Sequence, residues 1–275
     1  MTVRKNQAKL TADEKRAFTN ALLELKRNGT YDRFASVHNT FLMTDSDFGD
    51  RVGHRSPSFL PWHRRFLLDF EAELQKMDPK VSLPYWDWTA DRTAASSLWA
   101  ADFLGGTGRE RDGQVVDGPF AYGAGKWAVT VGVDRRTYLR RTLGAEGTQL
   151  PTKAEVNAVL AMPVYDAAPW NSASDGFRNH LEGWRGANLH NRVHMWIGGQ
   201  MASAASPNDP VFWMHHAFID LLWSEWQRRN PKSGYLPTAA TQDVVDLHKP
   251  MRPWNNVTPA DLLDHRKFYT FDTEH

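Results

Sequence analysis

Asp209-Pro210-Val211-Phe212-Trp213-Met214-His215-His216 is the segment from which the rest of the chain can be read. An aspartate followed by proline at the first helical position opens a helix. Phe212, His216, Ile219, Trp223 and Trp226 then recur at steps of three and four. An apolar stripe with that period faces a core, so a histidine is set into a greasy wall. His215 and His216 project about 100 degrees apart on such a helix, so only one of them faces any given point. His216 shares the stripe and is the one selected; His215 suits a core histidine bonded to a carbonyl or an acid.

Upstream, Asn188 to Trp196 reads as a short helix with His190 and His194 four apart on one face. The pair alone suits two surface histidines as readily as a metal clasp. A zinc peptidase puts a glutamate base directly after the first histidine. Here that position is Asn191, which accepts no proton, and this argues against zinc hydrolysis. Nearer the start, Thr11-Ala12-Asp13-Glu14 is a capping box, and Phe18, Leu22 and Leu25 predict a first helix of about 17 residues behind it. Tyr31, Phe34, Val37 and Phe41 mark a second helix, with His38 beside its stripe. Pro57 and Pro61 bracket a break, after which Phe66, Phe70 and Leu74 continue from Phe59 as a third helix carrying His63; His54 lies in the loop between. Taken singly, His38, His54 and His63 each suit a structural role as well as a ligand.

The chain has 275 residues, with 33 Lys+Arg against 32 Asp+Glu, and no run of five or six like charges. That leaves no electrostatic footprint for nucleic acid or for an anionic membrane. Cysteine is absent, which removes disulfides, thiolate nucleophiles and iron–sulfur clusters, and any metal must use nitrogen or oxygen ligands. Mean hydropathy is −0.57, and no apolar run reaches the roughly 18 residues of a membrane-spanning helix. Met1 to Gln7 lacks the apolar core of a secretory signal, so no export address is expected on this chain itself. With no repeat or linker, a single domain over residues 1–275 is expected. Residues 91–150 read as a surface excursion with one strand near Ala128 to Val133, and Pro259 to His265 reads as a last helix. Gly105-Gly106-Thr107-Gly108 lacks the third glycine and the Lys-Ser/Thr of a phosphate loop, so no nucleotide site is expected. Two imidazole trios on apolar helices, with no carboxylate or thiol offered to either, suit copper better than calcium, magnesium or structural zinc.

Four segments carry a family resemblance: Ser58-Phe59-Leu60-Pro61-Trp62-His63-Arg64-Arg65-Phe66, Leu83-Pro84-Tyr85-Trp86-Asp87-Trp88, His190-Asn191-Arg192-Val193-His194 and Asn208 to His216. In this order, and across nearly the whole chain, they resemble the tyrosinases, type-3 copper monooxygenases, and most closely the small ones of actinomycete bacteria. The resemblance implies a mainly α fold, a four-helix bundle around a dinuclear copper site, with long loops and a few short β-strands. It assigns one copper ion to His38, His54 and His63 and the other to His190, His194 and His216, with O2 as co-substrate. The implied reaction ortho-hydroxylates monophenols such as tyrosine and oxidises o-diphenols to o-quinones, initiating melanin formation. A catechol oxidase, an o-aminophenol oxidase and a haemocyanin-like O2 carrier are the rival readings.

By the same resemblance Glu182 and Asn191 hold a water that takes the phenolic proton, with Gly183 and Gly186 letting the chain turn Glu182 toward the metals. Met195, Met201, Ala202, Ser203 and Ser206 are implied to line the phenol pocket, while Arg55, next to His54, suits a solvent-facing arginine more readily than one that attracts a substrate carboxylate. Trp62, Trp86, Trp88, Trp184, Trp196 and Trp213 read as packing and as a dry wall, and Asp87 as a buried carboxylate that must find donors. A copper-delivering caddie protein is the implied partner, so export with that partner's help is expected, and a cytoplasmic location otherwise. Without cysteine, the thioether link to a ligand histidine found in some relatives cannot form. Because ligand imidazoles must be neutral, copper loss is expected as pH falls below about 6.5.

Overall fold

The computed structural model describes residues 2–132 and 136–274. Thr11 caps α1 (Ala12–Arg27) through the reciprocal bonds with Glu14 that the sequence predicts. α2 (Thr30–Thr44) starts behind Gly29, whose φ of 79° is left-handed. α3 spans Phe59–Met77 without interruption. The break bracketed by Pro57 and Pro61 ends at Ser58, and Pro61 lies in the first turn of the helix, where a missing N–H costs no bond. α4 (Tyr122–Gly125), α5 (Lys153–Leu160) and α6 (Phe177–Glu182) are short, and α7 (Leu189–Ile197) and α8 (Val211–Arg229) follow where the histidine motifs predict them.

Two local expectations fail. Near Ala128 the chain makes only an isolated bridge to Tyr138, and Val133 lies outside the described residues. Pro259 to His265 is not an α-helix; Pro259–Leu262 and His265–Lys267 form separate 3-10 turns. In their place is a feature with no strong local signal: β1 (Thr2–Arg4) pairs in parallel with β2 (Tyr269–Phe271), Thr2 opposite Tyr269 and Arg4 opposite Phe271. None of the described helices is long and apolar enough to cross a membrane.

α3 and α8 form the spine of the core, with Phe70 stacked on Trp213 at a centroid separation of 3.5 Å. Phe34 of α2 meets both rings edge-on. A fully buried charge network locks the register of the two helices. Arg64 and Arg4 both bind Asp220, Arg4 also binds Glu71, and Tyr269 donates to Asp220. Arg64 follows His63 and Asp220 lies one turn beyond His216, so a slip between these helices would leave charges unpaired beside the histidines. The paired end strands therefore reach the centre of the molecule through Arg4 and Tyr269. Of the six tryptophans read as a dry wall, five are buried, and Trp184 is 40% exposed.

Candidate metal centre

α2, α3, α7 and α8 each turn histidine into one shared interior volume. His38 comes from α2, His63 from α3, His190 and His194 from α7, and His216 from α8, while His54 arrives on the loop between α2 and α3. Five of these six are buried to 5% exposure or less, and His194 is partly buried. The sequence-selected residues thus converge as two groups, His38/His54/His63 and His190/His194/His216, with His215 beside the second. The groups share a wall: the His63 and His216 rings stack with centroids 4.4 Å apart, and Phe212 packs on His216 at 4.1 Å.

The hydrogen bonds settle which ring nitrogens are free. His38 Nδ1 donates to the Ala204 carbonyl (2.9 Å), His63 Nδ1 to Phe59 (2.8 Å), His190 Nδ1 to Glu182 (3.0 Å) and His194 Nδ1 to Met201 (2.7 Å). Each donation places the proton on Nδ1 and a lone pair on Nε2. Yet His190 Nε2 lies 3.0 Å from His194 Nε2 and 3.2 Å from His216 Nε2, and His54 Nε2 lies 3.2 Å from His38 Nε2. Lone pairs held that close repel unless a cation lies between them. Nitrogens bound to one ion at about 2.0–2.1 Å are necessarily this near to one another. His63 Nε2 is buried with no protein partner at all. The donor set fits a pair of copper ions, since six neutral imidazoles add no negative charge and suit both oxidation states.

His215 is excluded from ligation by a bond the sequence did not suggest. The Trp88 indole N–H donates to His215 Nδ1 at 3.2 Å, which occupies that lone pair and leaves the proton on Nε2. His215 instead stacks on His190 with centroids 5.0 Å apart. The tryptophan-rich segment reaches the site through Trp88 and not through Asp87, whose half-buried carboxylate only closes a local turn onto Thr89.

Burial sets the electrostatics. Desolvation, reinforced by neighbouring imidazoles, holds His38, His63, His190, His215 and His216 well below the usual histidine range and lowers His194 to about 4. In the folded chain His38, His63, His190, His194 and His216 therefore stay neutral well below pH 6.5, lower than free imidazole chemistry suggests.

Glu182 ends α6 and is buried. One of its carboxylate oxygens accepts the Arg55 main-chain N–H (2.6 Å) and the Trp184 indole N–H (2.9 Å), and the other accepts Arg178 (2.8 Å), itself paired with Asp166. Since its carbonyl also holds His190, Glu182 joins the His54 loop to α7. Asn191 Oδ1 shares the His190 Nδ1 proton at 2.9 Å, directing its amide N–H2 away from the ring. Gly183, at φ 106°, brings the chain against Asn191: a Cβ there would lie 3.0 Å from the Asn191 nitrogen. The segment after α7 acts mainly through its backbone, whose carbonyls at Met201 and Ala204 hold one histidine of each group. Met201 and Ser206 are buried, whereas Met195, Ala202 and Ser203 are exposed. The Arg55 guanidinium covers the Trp184 ring at 4.6 Å. Sequence reasoning missed Arg178, Asp166 and Asp45, because ordinary charged residues carry no motif.

The family model described as the common central domain of tyrosinase matches residues 28–229, which contain all six histidines. A tyrosinase of Streptomyces antibioticus is 70% identical over 99% of this chain and 100% of its own length, and one of Streptomyces glaucescens is 69% identical over the whole of both chains. Among solved structures, a functional unit of octopus hemocyanin superposes with a TM-score of 0.68 at 22% identity, over 99% of this chain and 68% of that one, a likeness of fold alone.

Proposed function

The chain belongs to the tyrosinase family, and from that premise we propose how its residues divide the work of a two-copper monooxygenase. It ortho-hydroxylates monophenols and oxidises o-diphenols to o-quinones with O2, the entry to melanin formation. The observation that supports this most directly is the convergence of Nε2 lone pairs in two adjoining trios. His38, His54 and His63 would hold one copper ion and His190, His194 and His216 the other. When bound there, the copper pair supplies the redox equivalents for O2 and a Lewis-acidic seat for the phenolic oxygen.

The protein's own task is to bring a phenol in, orient its ring and remove its proton, since an ordinary phenol has a pKa near 10. Asn191, with its carbonyl oxygen committed to His190, presents N–H donors that orient a water at the rim. Glu182 has already accepted three N–H groups, so its remaining acceptor site receives that water, and through it the phenolic proton. Met195, Ala202 and Ser203 offer surface to the substrate ring, whereas Met201 and Ser206 support the loop from beneath. Copper delivery and export through a caddie-type partner complete the proposal, the chain remaining cytoplasmic without one.

Purified chain loaded with copper should hold two ions and consume O2 with both tyrosine and a catechol. Turnover of the catechol or an o-aminophenol alone would favour the oxidase reading, and reversible O2 uptake without turnover the carrier. Glu182→Gln should slow monophenol hydroxylation by about 100-fold or more, while diphenol oxidation changes little. Equal losses on both substrates would reduce Glu182 to a structural tie.

A further inference from the structure

Four of the six ligand histidines are oriented by a main-chain carbonyl on Nδ1, and a fifth, His216, is wedged on a helix between two rings. His54 has neither support. It is the one ligand that no helix carries, and its Nδ1 lacks a hydrogen bond within ordinary distance. What faces it is Asp45, the residue directly after α2, with Oδ2 3.4 Å from His54 Nδ1.

Asp45 is 4% exposed, and its carboxylate is held by the loop. Oδ1 accepts the Val52 N–H, and Oδ2 accepts those of Gly53 and His54, all at 2.8 Å. Three successive main-chain N–H groups converging on one buried carboxylate leave the loop little freedom, and charge-assisted bonds of this kind are the strong ones. The Asp45 N–H itself closes the last turn of α2 onto Phe41. One residue therefore rivets the helix bearing His38 to the loop bearing His54, and these are the rings whose Nε2 atoms lie 3.2 Å apart.

We propose that Asp45 is the positioning residue of the first copper site, fixing the loop-borne ligand His54 through its main chain and its Nδ1. The inference rests on the two-copper reading above. It requires that loss of the carboxylate weaken the His38/His54/His63 site selectively, leaving the His190/His194/His216 site intact; partners that orient metal-bound histidines are worth about 10–100-fold in affinity.

The test uses the full chain loaded with Cu(II), freed of excess metal and challenged with EDTA, with copper per chain and the cupric EPR signal followed together. In the wild type two coupled cupric ions cancel each other's spin, so two coppers per chain go with a weak signal. Asp45→Asn should release one copper at least about ten times faster than the wild type. The copper that stays should give a full mononuclear signal, matching that of His54→Ala, and the stripped variant should keep wild-type helical circular dichroism. Asp47→Asn, a nearby carboxylate bound to Ser172, serves as the control and should behave as wild type. Wild-type release rates in Asp45→Asn would overturn the proposal, as would parallel loss of both coppers or loss of helical structure in the stripped variant, since either marks a scaffold role. A wild-type chain that never holds a copper pair would overturn the two-copper reading itself.

Discussion

Removing the copper and lowering the pH tests the buried imidazole cluster directly. His38, His63, His190, His215 and His216 are neutral in the fold and held well below their ordinary value by desolvation, whereas in the unfolded chain they titrate near 6.5. A group with a depressed folded pKa contributes its stability above the unfolded value and loses it as pH falls, because the unfolded chain then binds the proton. At pH 5 the unfolded state gains 1.5 pH units of protonation per histidine, which is about 2 kcal/mol each. Five such groups sum to at most about 10 kcal/mol, on the scale of the whole stability of an ordinary protein, roughly 5–15 kcal/mol. His194, lowered to about 4, acts in the same direction. Urea unfolding of chelator-stripped protein should show nearly level stability from pH 8 to 7, a steep fall below 6.5 and collapse near pH 5. The slope should correspond to an uptake of roughly five protons on unfolding. Copper should displace the collapse to lower pH, since a ligated nitrogen has no lone pair for the proton. A slope of one proton or less, or unchanged stability at pH 5, would refute the desolvated-cluster account.

Two substitutions probe the supports of the second trio. Gly183→Ala places a Cβ 2.6 Å from Asn188 Oδ1 and 3.1 Å from Asn191 Cβ at a φ of 106°. Left-handed strain of about 1–2 kcal/mol and crowding of about 1–3 kcal/mol should lower unfolding stability and shift Asn191, so monophenol turnover falls more than diphenol turnover; unchanged stability would show that the loop yields freely. Trp88→Phe leaves His215 Nδ1 without its donor, which should cost about 1–3 kcal/mol in urea unfolding while copper stays at two per chain. An altered copper stoichiometry would show that His215 competes for the metal once released.

How much could be read in advance follows from the range of each physical signal. Helical periodicity is local, so the stripe from Phe212 to Trp226, the pair His190/His194 and the capping box at Thr11 placed α8, α7 and α1 correctly, and the imidazole count with no cysteine pointed to copper. The segments that failed, the strand near Ala128 and the helix at Pro259, are short, with too few repeats for a period to outweigh tertiary contacts. Pro61 reads as one edge of the break before α3 because the chain alone does not say whether a proline lies in the first turn of a helix or ahead of it.

Tertiary structure decided what no spacing encodes. Which nitrogen of each histidine carries the proton depends on carbonyls brought from elsewhere, Ala204 to His38 and Met201 to His194. The choice between His215 and His216 rests on an indole 127 residues away from the former. Asp45, Arg178 and Asp220 read as ordinary charges until folding buries them against their partners. The residue types along the chain determined that six neutral nitrogen donors would be available. Their orientation was settled only in the fold, because hydrogen bonds are directional and their partners are distant in sequence.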